Sequence, residues 1–125
     1  QQRKDVNMLD DAGTEMKARL RAELRAAMKA RNLLEARVIR SLVAALDHAE
    51  APAVPQDQTA SVHHEFAHRS AEVERLRLTW PQVREVLAAE LQEREHAAAK
   101  FDRLDKHERA AALREEARVI TRYLA

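Results

Sequence analysis

Apolar positions recur along this chain at helical rather than strand spacing. Leu20, Leu24, Ala27 and Met28 form one stripe, and Val38, Ile39, Leu42, Val43 and Leu46 form a second, wider one. A first helix is expected to begin near Thr14, just after the only glycine, Gly13. Asn32 ends it and caps the next, because Glu35 sits three residues on and can reach back as in a capping box. Ala51-Pro52 stops the second helix, since proline has no N–H to donate and disfavours helix in the residue before it. Residues 52–59 (PAVPQDQT) read as a loop.

Beyond the loop, Val62, Phe66, Val73 and Leu76 share one side of a peripheral helix expected over Ser61–Leu78, with Arg69 interrupting the line. A third helix has a sharp start. Thr79 is an N-cap with Gln82 at the reciprocal position, Pro81 is tolerated in the first turn, and Leu78 and Val83 occupy the hydrophobic-staple positions. Its stripe runs Val83, Val86, Leu87, Leu91, Ala98, Phe101. The chain turns near Leu104-Asp105, where Asp105 and Glu108 make another capping-box pair, and a fourth helix carries Leu113, Ala117, Ile120 and Leu124. Short connections within each pair make antiparallel neighbours. The fold expected is all-α: two antiparallel helical hairpins in a four-helix arrangement, with a loop or short extra helix between them.

Composition supports this and narrows the class. The chain has 125 residues, 34% of them charged, 3% aromatic, and no cysteine. That length suits one domain with a modest core, and abundant Ala, Leu, Glu and Arg suit helices. Without cysteine there are no disulfides or thiolate metal sites, which fits a cytoplasmic protein. No apolar stretch approaches the roughly 20 residues that cross a bilayer. Residues 1–15 (QQRKDVNMLDDAGTE) are polar and read as a leader or tag remnant outside the fold, with 16–125 forming the single helical domain.

Candidate chemistry is sparse. His64-Glu65-Phe66-Ala67-His68 matches H-E-x-x-H, in which two histidines four apart on a helix share a zinc ion and the glutamate acts as general base. Ala71 and Glu74 stand where the extended motif needs Gly and His, and on the helix drawn here His64 and His68 face away from Val62, Phe66 and Val73. A solvated helix face is the competing account. No nucleophile-and-base set, G-x-S-x-G or glycine-rich phosphate loop is present, so no catalytic residue, cofactor or small-molecule substrate is expected. The net charge is only +1, but Lys17 to Arg40 holds eight basic residues against two acids. Lys17, Arg21, Arg25 and Lys29 step by four along the first helix, as a ladder tracking phosphates or as an ordinary solvated face. Trp80 can stack on a base or simply pack.

Two blocks of the chain resemble the YqeY-like family, related to the C-terminal region of the GatB subunit of tRNA-dependent amidotransferases. One is Ala27-Met28-Lys29 with Val38-Ile39-Arg40; the other is Val86-Leu87, Glu90-Leu91, Arg94 and Phe101, running on to Glu116, Ile120 and Tyr123-Leu124. Leu104-Asp105-Lys106 departs from the family's small-residue turn, the connection over 51–78 is longer, and the family's usual smaller C-terminal helical domain is missing. The resemblance implies a noncatalytic module that assists tRNA-dependent amidation, with glutamine as nitrogen donor at family level, by binding tRNA or amidotransferase subunits. Lys17, Arg21, Arg25, Lys29, Arg40 and Arg94 are the candidate RNA-binding residues. The alternative is a protein-interaction module that docks a partner or forms a homo-oligomer; a zinc hydrolase built on His64 and His68 is the remote third reading.

Overall fold

Capping residues written into the sequence set two of the four described helix starts. The computed structural model describes residues 11–52 and 75–125, which form α1 (Ala12–Lys29), α2 (Leu33–Glu50), α3 (Trp80–Arg103) and α4 (His107–Leu124). These are the two helical hairpins expected. Asn32 caps α2 by accepting from the Glu35 N–H at 3.1 Å, while its amide donates to the Glu35 carboxylate at 3.0 Å. Thr79 and Gln82 form the full reciprocal capping box of α3.

Three local expectations are corrected. α1 begins at Ala12, and both Ala12 and Gly13 are buried, so part of the supposed leader belongs to the fold. Residues 75–79 are not the end of a helix. They form an extended strap whose Leu76 N–H donates to the Glu50 carbonyl at 2.8 Å and whose Arg75 donates to the Asp47 carbonyl at 2.7 Å. Asp105 does not cap α4: Lys106 is the N-cap, without a side-chain bond, and Asp105 instead takes a left-handed conformation (φ 60°) closing α3. The remainder of the helix expected over Ser61–Leu78 lies outside the described residues.

Both turns share one hydrogen-bond pattern. After α1, Asn32 N–H donates to the Ala27 carbonyl at 2.9 Å and Arg31 N–H to the Met28 carbonyl at 3.1 Å; after α3, Lys106 donates to Phe101 at 2.8 Å and Asp105 to Asp102 at 3.0 Å. This is the Schellman closure, which favours glycine at its left-handed position. Arg31 and Asp105 occupy that position here, both at φ 60°.

α2 is the central element. Val38, Ile39, Leu42 and Leu46 are fully buried among Leu20 of α1, Val83 and Leu87 of α3, and Ile120 of α4. Each such side chain contributes about 1.5–3 kcal/mol on burial. The hairpins cross rather than lie alongside. Early α2 meets α4 (Glu35–Arg122 at 2.6 Å, Arg37–Glu116 at 3.1 Å), whereas Ser41 meets Arg94 of α3 at 2.9 Å and Ala45–Ala49 face Val86 and Ala89. Arg122 and Val86 belong to the same end of the second hairpin, so α2 runs across that end. Every member of the shared core contributed by α3 and α4 comes from Trp80–Leu91 or Val119–Leu124. Among the described residues, the distal part, roughly residues 95–115, is held by contacts within the hairpin: Asp102 bonds His107 at 2.7 Å and Arg114 at 2.6 Å, Arg109 lies over the Phe101 ring at 5.0 Å, and Ala98 and Ala110 are both buried.

Candidate functional site

A ladder at spacing four does not stay on one face. An α-helix turns 100° per residue, so each i,i+4 step precesses by about 40°, and four rungs sweep about 120° of the surface. Lys17 therefore lies on the inner side with Leu20 and Leu24, and Lys29 lies outside. The structure follows this geometry: Lys17 is 8% exposed, while Arg21, Arg25 and Lys29 are exposed.

Lys17 Nζ donates to Glu50 Oε1 at 2.6 Å and to Asp47 Oδ1 at 2.8 Å. Burial works against its charge, but the hydrogen bonds and charges of Asp47 and Glu50 outweigh it and raise its pKa. Asp47 is correspondingly lowered, chiefly by the Lys17 bond. Glu50 is 4% exposed and is also approached by Arg75 at 3.4 Å. Lys17 thus joins α1 to α2 and offers no charge to a ligand. This pair, with Gly13 making room for it, escaped sequence reasoning, although Lys17 stands three residues before Leu20 on the apolar side.

Arg94 is also committed. Its guanidinium bonds Glu90 at 2.8 Å, Glu116 at 3.3 Å and Ser41 at 2.9 Å, fastening α2, α3 and α4 at one point. On the far side of α1, the Tyr123 hydroxyl donates to Glu23, and Arg19 lies 4.7 Å over the Tyr123 ring. Burial first, then the Glu23 bond, push the Tyr123 pKa well up, and the same bond lowers Glu23.

Of the six candidate residues, Arg21, Arg25, Lys29 and Arg40 remain for a ligand. All are exposed, and none forms an ion pair with a described residue, although Arg21 contributes to lowering Asp47. Arg40 Nη2 lies 3.4 Å from Met28 Sδ, which brings the outer faces of α1 and α2 together. Met28, placed in the α1 core stripe by its spacing, is 51% exposed instead; it is Ala27 that turns inward at the last helical turn. Arg31, Met28 and Leu33, the last 76% exposed, were not singled out as site residues. Trp80 packs against the core.

Two further features bear on function. A groove of about 500 Å3 between α2 and α3 is lined largely by small apolar side chains, Ala44, Ala45, Ala49, Val86 and Ala89, with Ser41, His48 and Glu90 at its edges. His64 and His68 lie outside the described residues. Among the described residues, no three His, Asp or Glu side chains gather to hold a metal ion, and no helix is long and apolar enough to cross a membrane. No protein-family model, curated protein or solved structure matches this chain.

Proposed function

We propose that this chain is a noncatalytic helical module that binds RNA through its phosphates, with tRNA the RNA to which the resemblance to YqeY-like proteins and the GatB tail points. The observation that carries the reading is that four of the six candidate cations are left over on the first hairpin after the internal ion pairs are made. Arg21, Arg25, Lys29 and Arg40 are exposed on the α1–α2 hairpin without ion-pair partners among the described residues. Assistance to tRNA-dependent amidation, alongside amidotransferase subunits, is the family-level role that accompanies this binding.

Titration of labelled tRNA at two salt concentrations tests it. Four phosphate contacts weaken binding by about 100-fold between roughly 50 and 200 mM salt. Absence of binding at low salt, or binding indifferent to salt, sinks the reading.

The groove lined by Ala44, Ala45, Ala49, Val86 and Ala89 favours a second reading, a protein-interaction module that takes a partner helix or a second copy. A solution mass above 14.3 kDa for the purified chain supports self-association; a strict monomer removes that version.

A further inference from the structure

The two Schellman turns have the same backbone and different surfaces, and the difference bears on what the first can contact. In the sixteen residues 25–40 there are five basic residues (Arg25, Lys29, Arg31, Arg37, Arg40) and one acid, Glu35. Glu35 is occupied by Arg122 and Asn32, and Arg37 by Glu116. The sixteen residues 100–115 around the second turn carry five basic residues and four acids; there Asp102 is occupied by Arg114 and His107 and Glu115 by Arg118, which leaves Asp105 and Glu108 among the remaining cations. Charge alone would fit any polyanion. The first turn also holds two large exposed apolar side chains, Met28 at 51% and Leu33 at 76%, and Arg40 is bonded to the sulfur of one of them.

Backbone conformation bears on the residue at the tip. Arg31 stands at φ 60°, where glycine is at ease and a long side chain is not. Aspartate tolerates that region better than arginine, so Asp105 at the second turn is the milder case. The closure demands that conformation at both turns, and at the first it places a guanidinium at the tip of the hairpin.

We propose that the α1–α2 turn receives an unpaired nucleotide of RNA, in a loop or at a chain end, with Met28 and Leu33 against the base and Arg25, Lys29, Arg31 and Arg40 on the neighbouring phosphates. The proposal rests on the RNA reading and specifies it. A paired A-form helix keeps its base faces stacked away, so it would satisfy the cations and leave Met28 and Leu33 in water. An unpaired nucleotide supplies an apolar face and phosphates together. Asn32, the one side-chain amide in the turn, has both its ends engaged in the α2 cap and is not offered to a base edge.

Fluorescence anisotropy with the full chain separates the outcomes. The probes are a labelled RNA hairpin with an unpaired loop, a duplex with the same number of phosphates, and phosphatidylserine-containing vesicles. The unaltered chain is expected to favour the looped RNA by about fivefold, the amount carried by a modest buried apolar area. Met28→Ser with Leu33→Ser abolishes that preference and leaves duplex affinity unchanged, whereas Leu104→Ser, the exposed leucine of the second turn, alters neither. Arg25→Gln with Lys29→Gln weakens both RNAs by about tenfold or more at low salt. Arg31→Gly weakens RNA binding while raising the thermal midpoint by about 4 °C, a split that a purely structural residue does not produce. Equal affinity for loop and duplex, or a preference that survives the double serine change, overturns this inference and leaves the RNA reading standing. Loss of neither RNA on removing Arg25 and Lys29 overturns both. Vesicles bound more tightly than either RNA also overturn it, assigning the turn to an anionic membrane surface.

Discussion

Gly13 has no side chain at a place where one would collide with Glu50. A Cβ built on Gly13 would stand 2.4 Å from Glu50 Oε2, and that carboxylate cannot swing away freely because Lys17 holds it at 2.6 Å. Gly13→Ala is therefore expected to destabilise by about 1–2 kcal/mol, although alanine gains about 1 kcal/mol in helix propensity. With Glu50→Ala in the background the sign reverses. Urea unfolding of the two single variants and the double measures the coupling, and additive effects would refute the contact. Lys17→Met should cost about 1–3 kcal/mol by leaving the buried Glu50 carboxylate only Arg75, 3.4 Å away, as a cationic partner, without altering RNA affinity of the folded chain. A loss of affinity at unchanged stability would return Lys17 to the binding face. The sequence displayed Lys17 as one rung among four; its burial was legible only through the angular drift of the ladder. Glu50 gave no local sign at all, since nothing in a helix end ahead of a proline marks a glutamate as interior.

At the level of elements, what was local was readable. Thr79 with Gln82 and Asn32 with Glu35 act within four residues of chain, and the structure uses both. Thr79→Ala is expected to lower stability by about 1 kcal/mol, as a shift in the urea midpoint with unchanged slope. The left-handed turn residues were not readable, because the signal for that conformation is glycine and neither turn has one. Asp105→Gly should stabilise by about 0.5–1 kcal/mol; a loss instead would show that Asp105 contributes more through His107, 3.6 Å away, than its backbone costs. Met28 illustrates a related failure. Periodicity assigns it to the core, but the helix ends one residue later, at Lys29, and no described element covers it.

For the molecule as a whole, the carboxylates that join helices make stability depend on pH. Asp47 and Glu23 are lowered by their bonds to Lys17 and Tyr123, linking α1 to α2 and to α4, and Asp102 is lowered by His107 and Arg114 within the second hairpin. A depressed carboxylate contributes fully above its unfolded pKa and loses that contribution as pH falls through its folded value. Stability should thus decline below about pH 4. Lys17 and Tyr123 are raised, so their contributions hold below about pH 10 and fade above it. Asp47→Asn should flatten the acid limb of a urea-midpoint profile by less than about 1 kcal/mol, because Asp47 is 45% exposed and its pair is partly screened. A limb of unchanged steepness would remove Asp47 from the account. The two hairpins were legible in the stripes, but their crossing was not: each stripe says which side of a helix is buried, and none says where along a neighbour it lands.

That crossing divides the spectroscopy of the protein in two. The single tryptophan, Trp80, packs against the core shared by both hairpins, whereas residues 95–115 lie beyond it and contain no tryptophan. Indole emission therefore watches the seam and is blind to the projecting arm, while far-ultraviolet dichroism counts the arm's helical peptides along with the rest. Heating should make the two signals part company, the dichroism falling first as the arm frays and the emission shifting only when the seam opens.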